Sequence, residues 1–266
     1  MAKMFREINA SSISESFAKT LKFLDDWAYH PIYCWFRGVR DGKDELQPGA
    51  CWKKNYDETQ TLIDFISRGV AFGDVKELDD WDTYYLAQHH GIPTRLLDWT
   101  ESFTSALFFA FDNWDGKTTP AIWLLQPCLL NETFLDWYGM LGPERQDEMS
   151  IFLPRFIAGL RPLKKADKDG YVYDNRRPLA IYPKWANHRI AAQQGMFTIH
   201  GRDPQSLPKQ IKAVGKDPRD HIARVNLKGF KKDKVYSELA MLGIRRSAIY
   251  PDMDNFVQEL KDSHGW

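Results

Sequence analysis

Cysteine is scarce, with only Cys34, Cys51 and Cys128 in 266 residues, an odd set with no CxxC spacing. That argues against a disulfide framework and a structural zinc site, and it fits a reducing compartment. An excess of charge of one sign is also lacking, since 36 Lys plus Arg balance 36 Asp plus Glu. The whole-chain charge therefore gives no reason to expect a generic polyanion binder. No stretch approaches the roughly 18 apolar residues of a membrane span, and the opening MAKMFREINASS has no apolar h-region, so the expected location is cytoplasmic. Neither GxGxxG nor GxxxxGK[ST] occurs, which removes the Rossmann fingerprint and the P-loop. His89 and His90 are adjacent rather than four apart, with no HExxH, which makes a zinc hydrolase a poor fit and leaves no metal site to expect. No repeat and no low-complexity tract interrupts the chain.

What the chain has in quantity is aromatic: ten Trp, eleven Tyr and sixteen Phe. Large rings supply core volume and also flat faces on which a ligand can stack. Charge, balanced overall, is uneven locally. Residues 202–234 hold ten Lys or Arg against four Asp, whereas residues 74–115 hold nine acids against Lys76 and Arg95. A basic face and an acidic face are one reading, and charges scattered over a solvated surface are the other.

Periodicity predicts a helix over SISESFAKTLKFLDDWAY, with Ser12 as N-cap and Ile13, Phe17, Leu21 and Leu24 on its apolar stripe. PIYCWFRGV reads as a strand ending at Gly38. Helices follow over YDETQTLIDFISRGVAF and LDDWDTYYLAQHH, the second closed by Gly91. IPTRLLDW reads as a loop, and Thr100 opens a buried helix bearing Phe103, Ala106, Leu107, Ala110 and Phe111. AIWLLQ, LAIYP, GMFTIHG, IARVNL and SAIYP read as the strands of a sheet. Residues 131–178 read as a helical insertion, with PERQDEMSIFLPRFI its clearest helix and KKADKDG an exposed turn. The irregular alternation favours α+β over a doubly wound sheet.

WFRG at residues 35–38, AQHHGIPTRLLDWTESFTSALFFA at 87–110, RIAAQQGMFTIHG at 189–201 and SAIYPDMDN at 247–255 together resemble the FRG domain. The four motifs run in order across nearly the whole chain and imply a single FRG-type domain over residues 1–266. A looser similarity carries more chemistry. The chain resembles ADP-ribosyltransferases of the arginine-serine-glutamate type, in which a strand ends in Arg-Gly, a Ser/Thr-rich strand leads into an Ala-x-x-Phe-Ala helix, and a third strand is entered by Gln-x-Glu or Glu-x-Glu. FRG, DWTESFTSALFFA and AAQQGMFTI stand at those three places. The similarity implies a split mixed or antiparallel sheet with N-terminal helices, NAD as substrate, and transfer of ADP-ribose to an acceptor.

On that reading Arg37 grips a pyrophosphate through two parallel hydrogen bonds, and Gly38 lets the ligand approach backbone donors. The alternative is an ion pair between Arg37 and a core carboxylate, with Gly38 merely turning the chain. The loop QHHGIPTRLLDW is the richest polar cluster in the sequence, and such loops concentrate sites. There His90 is placed on a ribose hydroxyl, Thr94 and Thr100 on the cofactor, Arg95 on phosphate and Trp99 stacked on a ring. The alternative for Arg95 and Asp98 is a mutual buried salt bridge. Where the similarity asks for a catalytic Glu, the chain has Gln193 and Gln194. An amide supplies no negative charge to an oxocarbenium-like transition state, so Asp98, Glu101 or Asp252 is the expected substitute. A catalytically silent nucleotide- or protein-binding module, and a hydrolytic toxin using His90 with Asp98, are the readings from other classes. The expected acceptor is nucleic acid, RNA before protein, tracked by Lys212, Arg219, Arg224, Lys228, Lys231 and Lys232. The resemblance further implies a toxin-like or phage-defence effector with a neutralising antitoxin.

Overall fold

The computed structural model describes residues 4–27, 33–72, 78–157, 163–184 and 188–265. Nine strands are present among them: β1 (Arg6–Ala10), β2 (Trp35–Val39), β3 (Leu96–Thr100), β4 (Ala121–Leu125), β5 (Lys164–Ala166), β6 (Val172–Asp174), β7 (Leu179–Ile181), β8 (Gly195–Ile199) and β9 (Ile222–Leu227). Seven form one open mixed sheet in the order β1-β9-β4-β2-β3-β8-β7, parallel only between β1 and β9. Strands β5 and β6 make a separate hairpin. With its many helices this is the expected α+β class, and the sheet is mixed.

Alternation along the strands sorts the core. Phe36 stands opposite Thr100 in the pairing of β2 with β3, so Leu96, Asp98 and Thr100 share a sheet face with Phe36 and Gly38. On that face one cluster gathers Phe36, Ile122, Leu124, Ala223 and Val225 beneath the helices Ile13–Asp26, Phe103–Phe111 and Lys232–Met241. A second cluster packs Trp81, Tyr84 and Tyr85 of the Asp80–His89 helix on Leu96, Phe197 and Ile199. The opposite face buries Trp35, Leu97, Trp99 and Trp123 against Leu207 and Ile211. Much of the aromatic surplus is therefore core volume.

One backbone contact fixes how the Phe103–Phe111 helix sits on β2. A Cβ added to Gly38 would stand 1.8 Å from the Ala106 carbonyl oxygen and 2.6 Å from the Ala110 nitrogen. Gly38 is thus required by helix-on-strand packing, a role not expected from sequence, and it also lines the cleft beside β2. At the other edge of β2 the pairing with β3 is a single register pair, whereas β2 pairs with β4 over five. The strands diverge past that pair, and the sheet opens where Arg37 and Asp98 stand.

Several local expectations hold and several shift. Ser12 accepts from the Glu15 N–H as N-cap, as expected. The buried stripe of that helix is Ser16, Thr20, Phe23 and Leu24, while Phe17 and Leu21 are exposed. Ser16 and Thr20 donate to the Ile13 and Ser16 carbonyls, so short side chains face the sheet without an orphaned hydroxyl. Gly91 closes the Asp80–His89 helix at φ +79°, as read from sequence. The loop IPTRLLDW ends instead in β3, buried on both faces except at Asp98, so it carries no clean alternation to read. Ser102, not Thr100, caps the next helix. PERQDEMSIFLPRFI breaks into short pieces, with Pro154 starting a new one because it lacks an N–H and cannot continue a helix. KKADKDG forms part of the β5–β6 hairpin. SAIYP, read as a strand, is the helix Arg246–Ile249 and its end, whereas the unread REINA is β1.

Candidate functional site

A cleft of about 620 Å³ opens at the β2–β3 divergence. Its walls are the ends of β2 and β3, the loop 40–53, the end of the Asp80–His89 helix, Asp112 and Asn113 after the Phe103–Phe111 helix, and the helix His188–Gln193. Arg37, Arg40, Lys53 and Arg189 bring positive charge to it, and Asp44, Asp98 and Asp112 negative charge.

Arg37 sits at the opening with 27% of its side chain exposed. Its Nη1 donates to the Asp98 carbonyl oxygen at 2.7 Å and lies 3.6 Å from Asp98 Oδ2. Among the described residues those are its only polar partners, so Nε and Nη2 remain for a ligand. Asp98 is 56% exposed, and the Gln88 amide donates to both of its carboxylate oxygens at 3.0 and 2.9 Å. Thr94 in turn donates to Gln88 Oε1 and accepts from the Leu96 N–H. A relay from the β3 backbone through Thr94 and Gln88 therefore orients the Asp98 carboxylate. Thr94, fully buried, touches the site only through that relay and offers nothing directly to a cofactor.

Arg95 turns away from the cleft. Its Nε contacts Glu58 Oε2 at 2.9 Å and Nη1 donates to the Gly201 carbonyl, while Glu58 also accepts from the Arg95 N–H and from Tyr84. Burial pushes the Glu58 carboxyl above its ordinary range, opposed mainly by Arg95. The expected Arg95–Asp98 pair is replaced by two pairs, Arg95 with Glu58 and Arg37 with Asp98. The phosphate role assigned to Arg95 fails for the same reason, since its guanidinium is committed to a buried carboxylate.

Trp99 is 3% exposed and its indole N–H donates to Thr198 Oγ1, so it has no free face for stacking. Trp52, 59% exposed, lines the cleft wall with an open ring. Thr100 is buried, donates to the Gln193 carbonyl at 2.6 Å and accepts from Ser102, which makes it a tie between β3 and the His188–Gln193 helix. His89 rather than His90 lines the cleft. Burial and the nearby Arg189 hold His89 below the ordinary histidine range, so the ring is neutral near pH 7. His90 is exposed and ends the helix.

Gln193 reaches the cleft, its amide donating to the Ile249 carbonyl. Gln194 is exposed at φ +47° and, among the described residues, bonded only through its backbone. The left-handed position at the end of the His188–Gln193 helix is Gln194, and Gly195 begins β8. Glu101 accepts from Tyr182 and Asp252 caps the C-terminal helix, so of the three candidate carboxylates only Asp98 lines the cleft. Sequence reading missed Gln88, Asp44, Arg40, Arg189 and Trp52. Partial burial and the neighbouring Asp41 push the Asp44 carboxyl up. Only the QHHG context of Gln88 signalled any of them.

The six basic residues expected to follow a nucleic-acid backbone do not form one stripe. Arg224 is held by Glu7 and the Gly42 carbonyl and lies 4.9 Å over each of the Phe5 and Trp123 rings. It is a structural residue. Arg219 pairs with Asp217, and Lys212 shares its hollow. Lys228 lines a different hollow, and Lys231 and Lys232 start the Lys232–Met241 helix. Among the described residues no group of three or more His, Cys, Asp or Glu side chains is gathered for a metal ion, and no helix is long and apolar enough to cross a membrane.

Residues 33–118 match the FRG domain family, and the chain carries an FRG domain over that span, which includes β2, β3 and most of the cleft wall between them. The motifs at 35–38 and 87–110 fall inside it, and those at 189–201 and 247–255 lie beyond it. No curated protein and no solved structure matches the chain.

Proposed function

We propose, from the premise of an FRG domain whose β2–β3 opening displays Arg37 beside Asp98, that this protein is an NAD-consuming ADP-ribosyltransferase. The observation that carries the reading is the pairing itself. One edge of the Arg37 guanidinium is anchored on the Asp98 backbone, which leaves a fork suited to bidentate contact with a pyrophosphate. The Asp98 carboxylate, oriented by Gln88, stands in the same opening. Arg40, Lys53 and Arg189 add charge for the dianion, and Trp52 offers a ring face.

In this reaction the bond between ribose C1′ and the nicotinamide nitrogen breaks, and its electron pair leaves with neutral nicotinamide. The ribosyl oxocarbenium ion is opposed by the Asp98 carboxylate, which supplies the charge that Gln193 and Gln194 lack. The acceptor's nucleophile bonds to C1′ and gives its proton to Asp44, a carboxylate on the cleft wall. The pinned Gln193 amide favours a second reading, a nucleotide-binding module without turnover.

Nicotinamide release from NAD by purified protein, with and without cell extract as acceptor, decides between them. Release that is lost in both Arg37→Ala and Arg37→Lys, with circular dichroism unchanged, supports the transferase. NAD binding without release in any condition refutes it in favour of the binding module.

A further inference from the structure

Behind the loop that walls the cleft lies a second hollow, of about 400 Å³, lined by Lys43, Lys117 and Lys228 together with Asn9, Thr119 and Asn226. The loop 40–44 separates the two. Arg40 and Asp44 line the cleft, whereas Asp41, Gly42 and Lys43 line the hollow. Thr118 donates to the Arg40 carbonyl and the Gly42 N–H to the Thr119 carbonyl, so the partition is stitched to the segment ahead of β4.

Positive charge predominates in the hollow, with four cations against Glu7 and Asp41. Its fourth cation, Arg224, is neutralised by Glu7, and Asp41 accepts from the Lys43 backbone N–H. Among the described residues the ammonium groups of Lys43, Lys117 and Lys228 have no ion-pair or hydrogen-bond partner. Asn226 donates to Asn9 Oδ1, which leaves the Asn9 amide N–H groups and the Thr119 hydroxyl as further donors. Three ammonium groups without a counterion outnumber the one lining carboxylate outside an ion pair, Asp41, and a concavity with that excess of charge and donors selects an anion with several oxygens. The lining has no aromatic or branched aliphatic side chain. A protein partner would therefore find no pocket for an anchoring residue, whereas a phosphate backbone needs only charge and hydrogen-bond donors.

We propose that this hollow binds the phosphates of a single-stranded RNA acceptor, placing the strand beside the Arg40–Asp44 loop so that an adjacent base reaches the cleft. The acceptor role rests on the transferase reading, but the binding does not. Of the basic residues expected from sequence, Arg224 and Lys228 line the hollow, Lys228 without a counterion among the described residues, and Lys43 and Lys117 join it from distant segments.

The test measures binding of a fluorescein-labelled single-stranded RNA 12-mer by anisotropy, without NAD, over 50–200 mM salt. Triple variants Lys43→Glu/Lys117→Glu/Lys228→Glu and the milder Lys→Gln set are compared with the wild type, and circular dichroism confirms the fold of each. The expected result is an affinity loss of about tenfold or more for the Glu set, a smaller loss for the Gln set, and a salt slope shallower by about 2, from three phosphate contacts at roughly 0.7 each. Equal affinity in wild type and both sets, or absence of RNA binding, overturns the proposal. So does label from NAD entering protein, and less of it with the Glu set, while RNA is ignored. Because binding is read without NAD, failure of the transferase reading shows separately, as absence of nicotinamide release.

Discussion

Replacing Gly38 by Ala separates a packing role from a ligand role at the FRG signature itself. The added methyl would stand 1.8 Å from the Ala106 carbonyl oxygen, so restoring an ordinary 3.4 Å contact requires helix and strand to part by about 1.6 Å. The obstacle is backbone, which cannot rotate aside, and it is flanked by Ala106, Leu107, Ala110 and Phe111, all fully buried. Overpacking a tight core costs about 1–3 kcal/mol when side chains can yield, so a clash with helix backbone should reach at least about 3 kcal/mol. At about 2–4 °C per kcal/mol for a chain of this size, Gly38→Ala should melt about 6–12 °C below the wild type by circular dichroism. Gly91→Ala is the control. Gly91 has φ +79° but nothing within 4 Å of an added Cβ, so only the left-handed backbone penalty of about 1–2 kcal/mol applies. A Gly38→Ala protein that melts within 2 °C of the wild type and has lost only NAD binding would refute the packing argument and favour the ligand-approach role.

Three further outcomes follow from the same contacts. Arg95→Ala removes the counterion of the buried Glu58 and should cost about 3–5 kcal/mol in urea unfolding. The loss should be smaller at pH 5 than at pH 8, because burial already raises the Glu58 pKa and protonation relieves the uncompensated charge; a cost under about 1 kcal/mol contradicts the pairing. Asp98→Asn should lower turnover by the equivalent of about 2.7–4 kcal/mol, with Gln193→Ala and Gln194→Ala much milder, so three similar small effects at unchanged NAD affinity leave the mechanism without its charge. His200 is fully buried, and desolvation, with Arg95 and Arg37 nearby, holds its pKa down to about 3. The unfolded chain therefore binds that proton first, and the contribution of neutral His200, present above about pH 6.5, falls by up to about 1.4 kcal/mol per pH unit between there and pH 3. His200→Gln should flatten the acid limb of stability against pH, and parallel limbs for the two proteins would contradict it.

Sequence by itself determined the elements that rest on local chemistry. Ser12 could be named as a cap because a hydroxyl two or three residues before orphan N–H groups has one obvious use. Gly91 could be named as a stop, and AIWLLQ, GMFTIHG and IARVNL as strands, because short apolar runs bounded by turn residues have few other solutions. The FRG motif marked the region of the cleft for the same reason, since polar residues crowded between buried segments are locally conspicuous. What each of those residues touches was decided only in three dimensions. Arg95 and Asp98 are three apart, yet one meets Glu58 and the other Arg37, because each partner comes from a distant segment. Gln88 acquired its part from the relay that ends on Asp98, and Gly38 from the helix laid over it, and neither contact leaves a trace in spacing. Lys43, Lys117 and Lys228 lie far apart along the chain, and they surround one hollow because the 40–44 loop, the segment before β4 and the end of β9 converge at one end of three neighbouring strands. Convergence of that kind is a property of the sheet's strand order, which no local pattern encodes.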